Sequence, residues 1–309
     1  MEASTPESDA MEESWWDANA AHIERIWGLS EPLCRGARRR YIYEIREKFL
    51  KMKPKRPLRI LEVACGTGWP GRLLASSALN VTGADFSEGQ IQIAQLKAIE
   101  SGQVHCDYLH MDINKMGDSF KSGEFDGAFV HCGIHHLSTA ELVGFANVLS
   151  QSPKGYPVIL VEPVYLDRAN FFGRLLGGGL ARLVSLIQRA LGATKAPKDS
   201  SVTQYTEELI QKATDSGWFF SPKEVPFAIS EIHTLFSRDF EIKEIEPVTY
   251  FALAAAQSLA TLEAQDEAAR IGERILPVLD WIDSWLIRIG ILPIVTSNYL
   301  FSRVVLVRR

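Results

Sequence analysis

Short apolar runs alternate with amphipathic stretches from Ile60 onward. The runs are RILEVA, NVTGAD, VHCDYLHMD, FDGAFVHC and YPVILVEPV, and helical patterns follow Gly71, Ser87 and Ser138. This rhythm predicts βαβ units and a parallel sheet. Two helix starts have the capping-box form. In Ser87-x-x-Gln90 and Ser138-x-x-Glu141 a hydroxyl precedes an amide or carboxylate by three positions, and each pair can satisfy free N–H groups of the first turn.

The flanks read differently. Residues 1–14 are acidic and polar, and they predict a disordered tail. Trp15, Trp16, Ile23, Ile26 and Trp27 recur near helical spacing, and Pro32 separates them from a second helix over about 35–52. A basic linker, KMKPKRPLR, leads into the first strand. After Tyr165 the alternation breaks. A long apolar stretch, FFGRLLGGGLARLVSLIQRALG, predicts a helix with Arg174, Arg182 and Arg189 on its outer side. Ser221-Pro222-Lys223-Glu224 predicts another helix start. EIKEIEPVTYF reads as a strand, residues 253–290 as helical, and Tyr299–Val307 as a final antiparallel strand. The organisation expected is a tail over 1–14, covering helices over 15–57, and one α/β domain over 58–309. That domain takes helical insertions near 166–240 and 253–295.

Composition adjusts this picture little. The 309 residues are 46% hydrophobic and 23% charged, as in globular chains. Thirty-three basic against 38 acidic residues leave a net charge of −5, which counts against nucleic acid as a partner. The four cysteines lack paired C-x-x-C spacing, so neither a disulfide framework nor a metal site is expected, and a reducing cytoplasm fits them. No basic, apolar leader opens the chain and no run of about 18 apolar residues occurs.

The chemistry concentrates at Ile60-Leu61-Glu62-Val63-Ala64-Cys65-Gly66-Thr67-Gly68. A strand ends in an acid and a glycine-rich turn follows, which lets backbone N–H groups approach a ligand. Gly66-x-Gly68-x-x-Gly71 also fits a dinucleotide fingerprint. Asp85 ends the second strand, where a carboxylate hydrogen-bonds ribose hydroxyls, and Asp112 ends the third. Glu62 separates the two readings: its charge would repel a pyrophosphate and suit an ammonium group.

ILEVACGTG, GADFSEGQIQIA, MDI, FDGAFVHCGIHHLS and VILVEPV, in this order, resemble the successive motifs of the class I S-adenosylmethionine-dependent methyltransferases. The resemblance covers residues 58–165. It implies a Rossmann-like, seven-stranded, mostly parallel sheet with helices on both faces; by their apolar composition and position, the helical insertions at 165–190 and 270–295 are expected to form a lid over the acceptor site. It implies S-adenosyl-L-methionine as cofactor, with Glu62 near the methionine amino group and Ala64, Gly66 and Gly68 along the methionine and ribose. It places Asp85 on the ribose, Phe86 against the adenine, Asp112 and Ile113 at the adenine edge, and His131 beneath the cofactor. The family has a glycine where this chain has Ala64, so a slightly different turn is expected there.

Methyl transfer needs a base only where the acceptor arrives protonated. His135 and His136 follow the fourth strand and are candidates for that role; the same pair could instead pack the loop. Glu162 could anchor this loop or touch the acceptor. The aromatic residues outside the motifs suit a small hydrophobic acceptor such as a lipid, quinone or secondary metabolite. The competing readings are methylation of RNA or protein, and an oxidoreductase that binds NAD. DWIDSWLIRIGILPIV is apolar nearly all round, which is compatible with a buried helix, a homodimer contact or a peripheral membrane contact.

Overall fold

The computed structural model describes residues 6–27, 32–52, 56–113, 116, 120, 123–165, 227–249, 251–252, 255, 265–290 and 300–309. Two helices lead, α1 (Pro6–Trp27) and α2 (Pro32–Leu50). The core then alternates β1 (Leu58–Val63), α3 (Trp69–Leu74), β2 (Leu79–Asp85), α4 (Glu88–Glu100), β3 (Cys106–His110) and β4 (Gly127–His131). After β4 come α5 (Thr139–Ser150) and β5 (Pro157–Tyr165). The C-terminal part holds β6 (Phe227–Ala228), α6 (Ile229–Phe236), β7 (Phe240–Thr249), α7 (Gln265–Arg288) and β8 (Leu300–Arg308).

The strands form one sheet in the order β3-β2-β1-β4-β5-β8-β7, and β6 pairs with β5. β2, β1, β4 and β5 run parallel, while β8 is antiparallel to both β5 and β7. The predicted α/β sheet with an antiparallel last strand is therefore present, with two-residue β6 as an eighth strand. Chain order reverses at β1, between β2 and β4, and such a switch point opens a crevice at the carboxyl ends of the strands.

Side-chain alternation along the strands feeds two cores. Leu61, Val63, Ala128, Val130 and Leu160 face α5 and α6 with Phe145, Leu149 and Phe236. Ile60, Val81, Phe129, Ile159 and Val161 face α2 and α3 with Ile42, Ile45, Phe49, Trp69 and Leu74. Between β2 and β3, Gly83 leaves room for the Tyr108 ring. A Cβ there would lie 2.6 Å from Tyr108 Cδ1 and 2.9 Å from Cys65 Sγ. Gly83→Ala should therefore cost about 1–3 kcal/mol, read as a fall in midpoint of several degrees in thermal denaturation. An unchanged midpoint would show that the Tyr108 ring yields freely.

Several boundaries differ from expectation. Helix α1 begins at Pro6, inside the stretch read as a disordered tail. Proline suits the first helical position, so polarity here accompanies a helix start rather than disorder. α6 starts at Ile229, with the Glu231 carboxylate accepting the Ala228 N–H at 2.8 Å. The capping box proposed at Ser221–Glu224 lies outside the described residues. So do Phe171, Phe172, Arg174, Arg182, Arg189, Trp218, Phe219, Phe220 and Tyr250. Helix α7 packs against α2 and β7, with Arg40 bonded to Asp280 at 3.0 and 3.1 Å. Among the described helices it is α1, not α7, that crosses the ends of β1, β2 and β4.

Candidate active site

The site is built at the switch point. Glu62 ends β1 fully buried, and neither of its carboxylate oxygens has a hydrogen-bond partner of good geometry. Burial pushes its pKa up to about 8, against the charge of Arg72 and the Gly71 N–H, which lower it. Gly71 is required beside it, since a Cβ would fall 2.2 Å from Glu62 Oε2.

The turn after β1 is left-handed at three places: Ala64 (φ 52°), Gly66 (φ 53°) and Gly68 (φ 72°). Ala64 holds a left-handed conformation of the kind glycine favours, at a cost of about 1 kcal/mol. Gly133 makes space for its methyl, because a Cβ on Gly133 would sit 2.3 Å from the Ala64 Cβ. The Tyr108 hydroxyl donates to the Gly68 carbonyl at 2.8 Å and fixes the end of the turn.

Asp85, at the end of β2, holds this turn to the next helix. Its Oδ2 accepts the Gly66 N–H at 2.8 Å and its Oδ1 accepts the Ser87 N–H at 3.0 Å. Burial raises its pKa, while those two N–H groups, the His136 charge and the Phe86 N–H pull it back. This explains why the capping box at Ser87 is only half made. Ser87 Oγ accepts the Gln90 N–H at 3.2 Å, but the Ser87 N–H is already taken by Asp85. Gln90 Oε1 is left buried with no hydrogen bond, turned toward Gly66. The two Glu62 oxygens, approached only by the poorly aligned Gly71 N–H, and Gln90 Oε1 thus lack a well-formed hydrogen bond around one glycine turn.

Beyond β3, the Met111 N–H donates to the Asp85 carbonyl at 2.7 Å and sets the next two residues, Asp112 and Ile113, beside the same crevice. Ile113 packs on the core and the Phe86 carbonyl bonds His110 Nε2 at 2.8 Å. The His131 ring is enclosed by other groups: its Nε2 meets the Tyr41 hydroxyl at 2.7 Å, and Trp69 stands edge-on at 4.8 Å.

The two histidines have unlike surroundings. His135 is buried with Nδ1 2.7 Å from Glu162 Oε2, and Glu162 Oε1 accepts the Gly133 and Ile134 N–H groups at 2.9 and 3.1 Å. Glu162 is therefore the loop's anchor. His136 lies with Nδ1 3.3 Å from Glu12 Oε1 and its ring edge-on to Trp16 at 5.1 Å.

Helix α1 supplies residues that the sequence reading missed. Glu12 meets His136. Asp17 Oδ1 accepts from Ser87 Oγ at 2.5 Å and from the Gly89 N–H at 2.9 Å. Glu24 bonds the Thr67 hydroxyl and Arg72 Nη2, the latter at 3.1 Å. Burial raises the pKa of Glu24 despite Arg72 and Thr67. These acids have no local signal in the sequence, because their partners lie between 43 and 124 positions away and meet them only through packing of α1 across the sheet.

A strand–glycine turn–helix with orphaned acceptors around it fits a cationic, hydroxyl-bearing ligand. A family profile described as a methyltransferase domain matches residues 60–152, the segment from β1 through α5. Residues 60–152 thus carry the pattern of a methyltransferase domain. S-adenosylmethionine is the cofactor that such a domain implies. Ubiquinone biosynthesis O-methyltransferase of Erwinia tasmaniensis is 37% identical over 123 residues, covering 36% of this chain and 50% of the relative. Demethylmenaquinone methyltransferase of Clavibacter sepedonicus is 26% identical over 163 residues, covering 51% and 60%. The chain thus spans about half to three-fifths of these curated relatives. In fold, the chain is similar to Haemonchus contortus phosphoethanolamine N-methyltransferase 2 in complex with S-adenosyl-L-methionine. The TM-score is 0.54 at 15% identity, over 99% of this chain and 60% of the other.

Proposed function

We propose that this chain is an S-adenosylmethionine-dependent methyltransferase acting on a small hydrophobic acceptor of the quinone or phenol kind. The observation that supports it best is the set of orphaned acceptors on Glu62 and Gln90 beside Asp85, at the turn where Gly66 and Gly68 keep side chains away. In this reading Glu62 accepts from the methionine ammonium and Asp85 from the ribose hydroxyls, with Ala64, Gly66 and Gly68 along them. Phe86, Asp112 and Ile113 flank the adenine, and the end of β4 at His131 closes the crevice from below. When bound, the cofactor supplies a methyl carbon activated by a sulfonium.

The remaining chemistry belongs to the chain. Glu12 at Nδ1 of His136 selects the tautomer whose Nε2 accepts a proton, and that nitrogen takes the acceptor's proton as its oxygen is alkylated. His135, held by Glu162, is a positioning residue for this loop. Half-buried Trp15 and Trp16, edge-on at 4.9 Å, bring aromatic surface to the same end of the sheet and suit a flat apolar acceptor. α1 is the cover that excludes water. Acceptors of this class partition into lipid, so a membrane-facing surface belongs to the same reading, in a cytoplasmic protein.

His136→Gln should lower kcat by roughly 10²–10⁴-fold at unchanged cofactor affinity, measured by transfer of labelled methyl to a catechol or demethylated quinol. Full turnover in that variant would remove His136 from the chemistry. Tighter binding of NAD than of S-adenosylmethionine in calorimetry would overturn the function itself.

A further inference from the structure

Helix α7 divides its charges by face. Its acids at 280 and 283 turn inward. Asp280 holds Arg40, and fully buried Asp283 accepts the Phe251 and Ala252 N–H groups at 3.0 and 3.1 Å and bonds the Thr249 hydroxyl. The side remote from the protein carries Arg274, Val278, Trp281, Trp285, Arg288 and Ile289, positions that fall within one broad stripe at 3.6 residues per turn. All six are exposed, the tryptophans by 67% and 52%. Neither Arg274 nor Arg288 has an ion-pair partner among the described residues. Large apolar groups spaced along one exposed stripe need an occupant, and two indoles between two guanidinium groups is the composition of a helix lying in a membrane interface.

We propose that this face of α7 docks on an anionic lipid surface, with Trp281 and Trp285 entering the headgroup region and Arg274 and Arg288 on lipid phosphates. The proposal rests on the hydrophobic-acceptor reading only for its purpose, which is to bring the strand ends to an acceptor dissolved in lipid. Its physical basis is charge complementarity: a chain of net charge −5 displays here two arginines on the apolar stripe, with Asp280 and Asp283 turned inward and exposed Glu273 about 100° round the helix from Arg274. A second copy fits less well, since a twofold contact through this stripe would set Arg274 against the partner's Arg288. Among the described residues no helix is long and apolar enough to cross a membrane, and the docking proposed is interfacial.

Vesicle co-sedimentation of the full chain tests it without cofactor or acceptor, so the result stands whether or not methyl transfer is found. The chain should pellet with vesicles of equal phosphatidylglycerol and phosphatidylcholine, far less with phosphatidylcholine alone, and less at high salt. Trp281→Ser with Trp285→Ser, and separately Arg274→Glu with Arg288→Glu, should each weaken binding at least tenfold at unchanged circular dichroism. The proposal fails if the unaltered chain ignores anionic vesicles, or if either double variant binds as well as it does. It fails equally if ultracentrifugation shows a dimer that these variants split, which would assign the stripe to a second copy.

Discussion

Replacing Asp85 with alanine should lower affinity for S-adenosylmethionine by roughly ten- to several-hundred-fold, the loss of one or two charge-assisted hydrogen bonds at about 1.5–3 kcal/mol each. The structure makes this position unusually strict. Both carboxylate oxygens already accept N–H groups, Gly66 on one and Ser87 on the other. Asp85→Asn should therefore be nearly as damaging as alanine. Whichever way the amide turns, its NH2 faces an N–H donor, and either the glycine turn or the start of α4 loses its tie. The carboxylate links the two backbone segments between which the ribose would lie, so geometry and charge fail together. Titration calorimetry measures the effect. Unchanged affinity in either variant would remove Asp85 from the cofactor site, and full affinity in the asparagine alone would show that charge plays no part.

Much of this domain was legible because its signals are local. A strand of period two, a glycine turn and a capped helix each need only neighbouring residues, and they repeat from Ile60 to Tyr165. The last strand was legible for the same reason, though its antiparallel direction is set by pairing with distant β5 and β7. What escaped depends on distant packing. Glu12 read as part of a tail because a polar helix start and a disordered end share a composition, and only the sheet beneath α1 gives Glu12, and Asp17 and Glu24 of the expected helix, their partners. Gln90 read as half of a capping box, since nothing local announces that Asp85 takes the Ser87 N–H first. Glu162 stood equally for an anchor or an acceptor contact until its two oxygens were found on His135 and on the Gly133 and Ile134 N–H groups. Ala64 was expected to alter the turn. Its methyl is accommodated by Gly133, a compensation 69 positions away that no motif spacing encodes.

The position of α1 also bears on how the site works. Its three acid contacts fall at the β4 loop, at the start of α4 and on the glycine turn. These are the segments that would surround acceptor, adenine and methionine in the proposed complex. A helix bonded at all three closes the crevice without burying a large apolar face of its own, since Ala20 and Ile23 are its buried apolar side chains among those described. Polar ties of this kind exchange with water at small net cost. They suit a cover that opens for each exchange of cofactor while the sheet beneath stays packed.

Glu62→Gln should make the ligand-free protein more stable at neutral pH while weakening its cofactor. With a folded pKa near 8 and an ordinary value near 4.5, Glu62 holds a proton on folding throughout that interval. Its contribution to stability is fully present below about pH 4.5 and is lost as pH rises to about 8, because ionising the unfolded chain becomes ever easier than ionising the buried carboxyl. At pH 7 that difference is on the order of 3 kcal/mol. A glutamine carries no such pH dependence. Urea denaturation should therefore show the variant gaining on the natural chain between pH 5 and pH 8, and the gap should stay level above that. Parallel pH profiles would mean that Glu62 is ionised in the fold. The cofactor should reverse the balance. Its ammonium favours the carboxylate, so binding near pH 6, where an α-amino group is cationic, should release a proton to the buffer. Calorimetry in buffers of different ionisation heat detects that proton. In Glu62→Gln the release should vanish and affinity should fall about tenfold or more. A residue that costs stability until its ligand arrives belongs to the binding site; if the variant binds S-adenosylmethionine undiminished, the orphaned carboxyl of β1 serves something else.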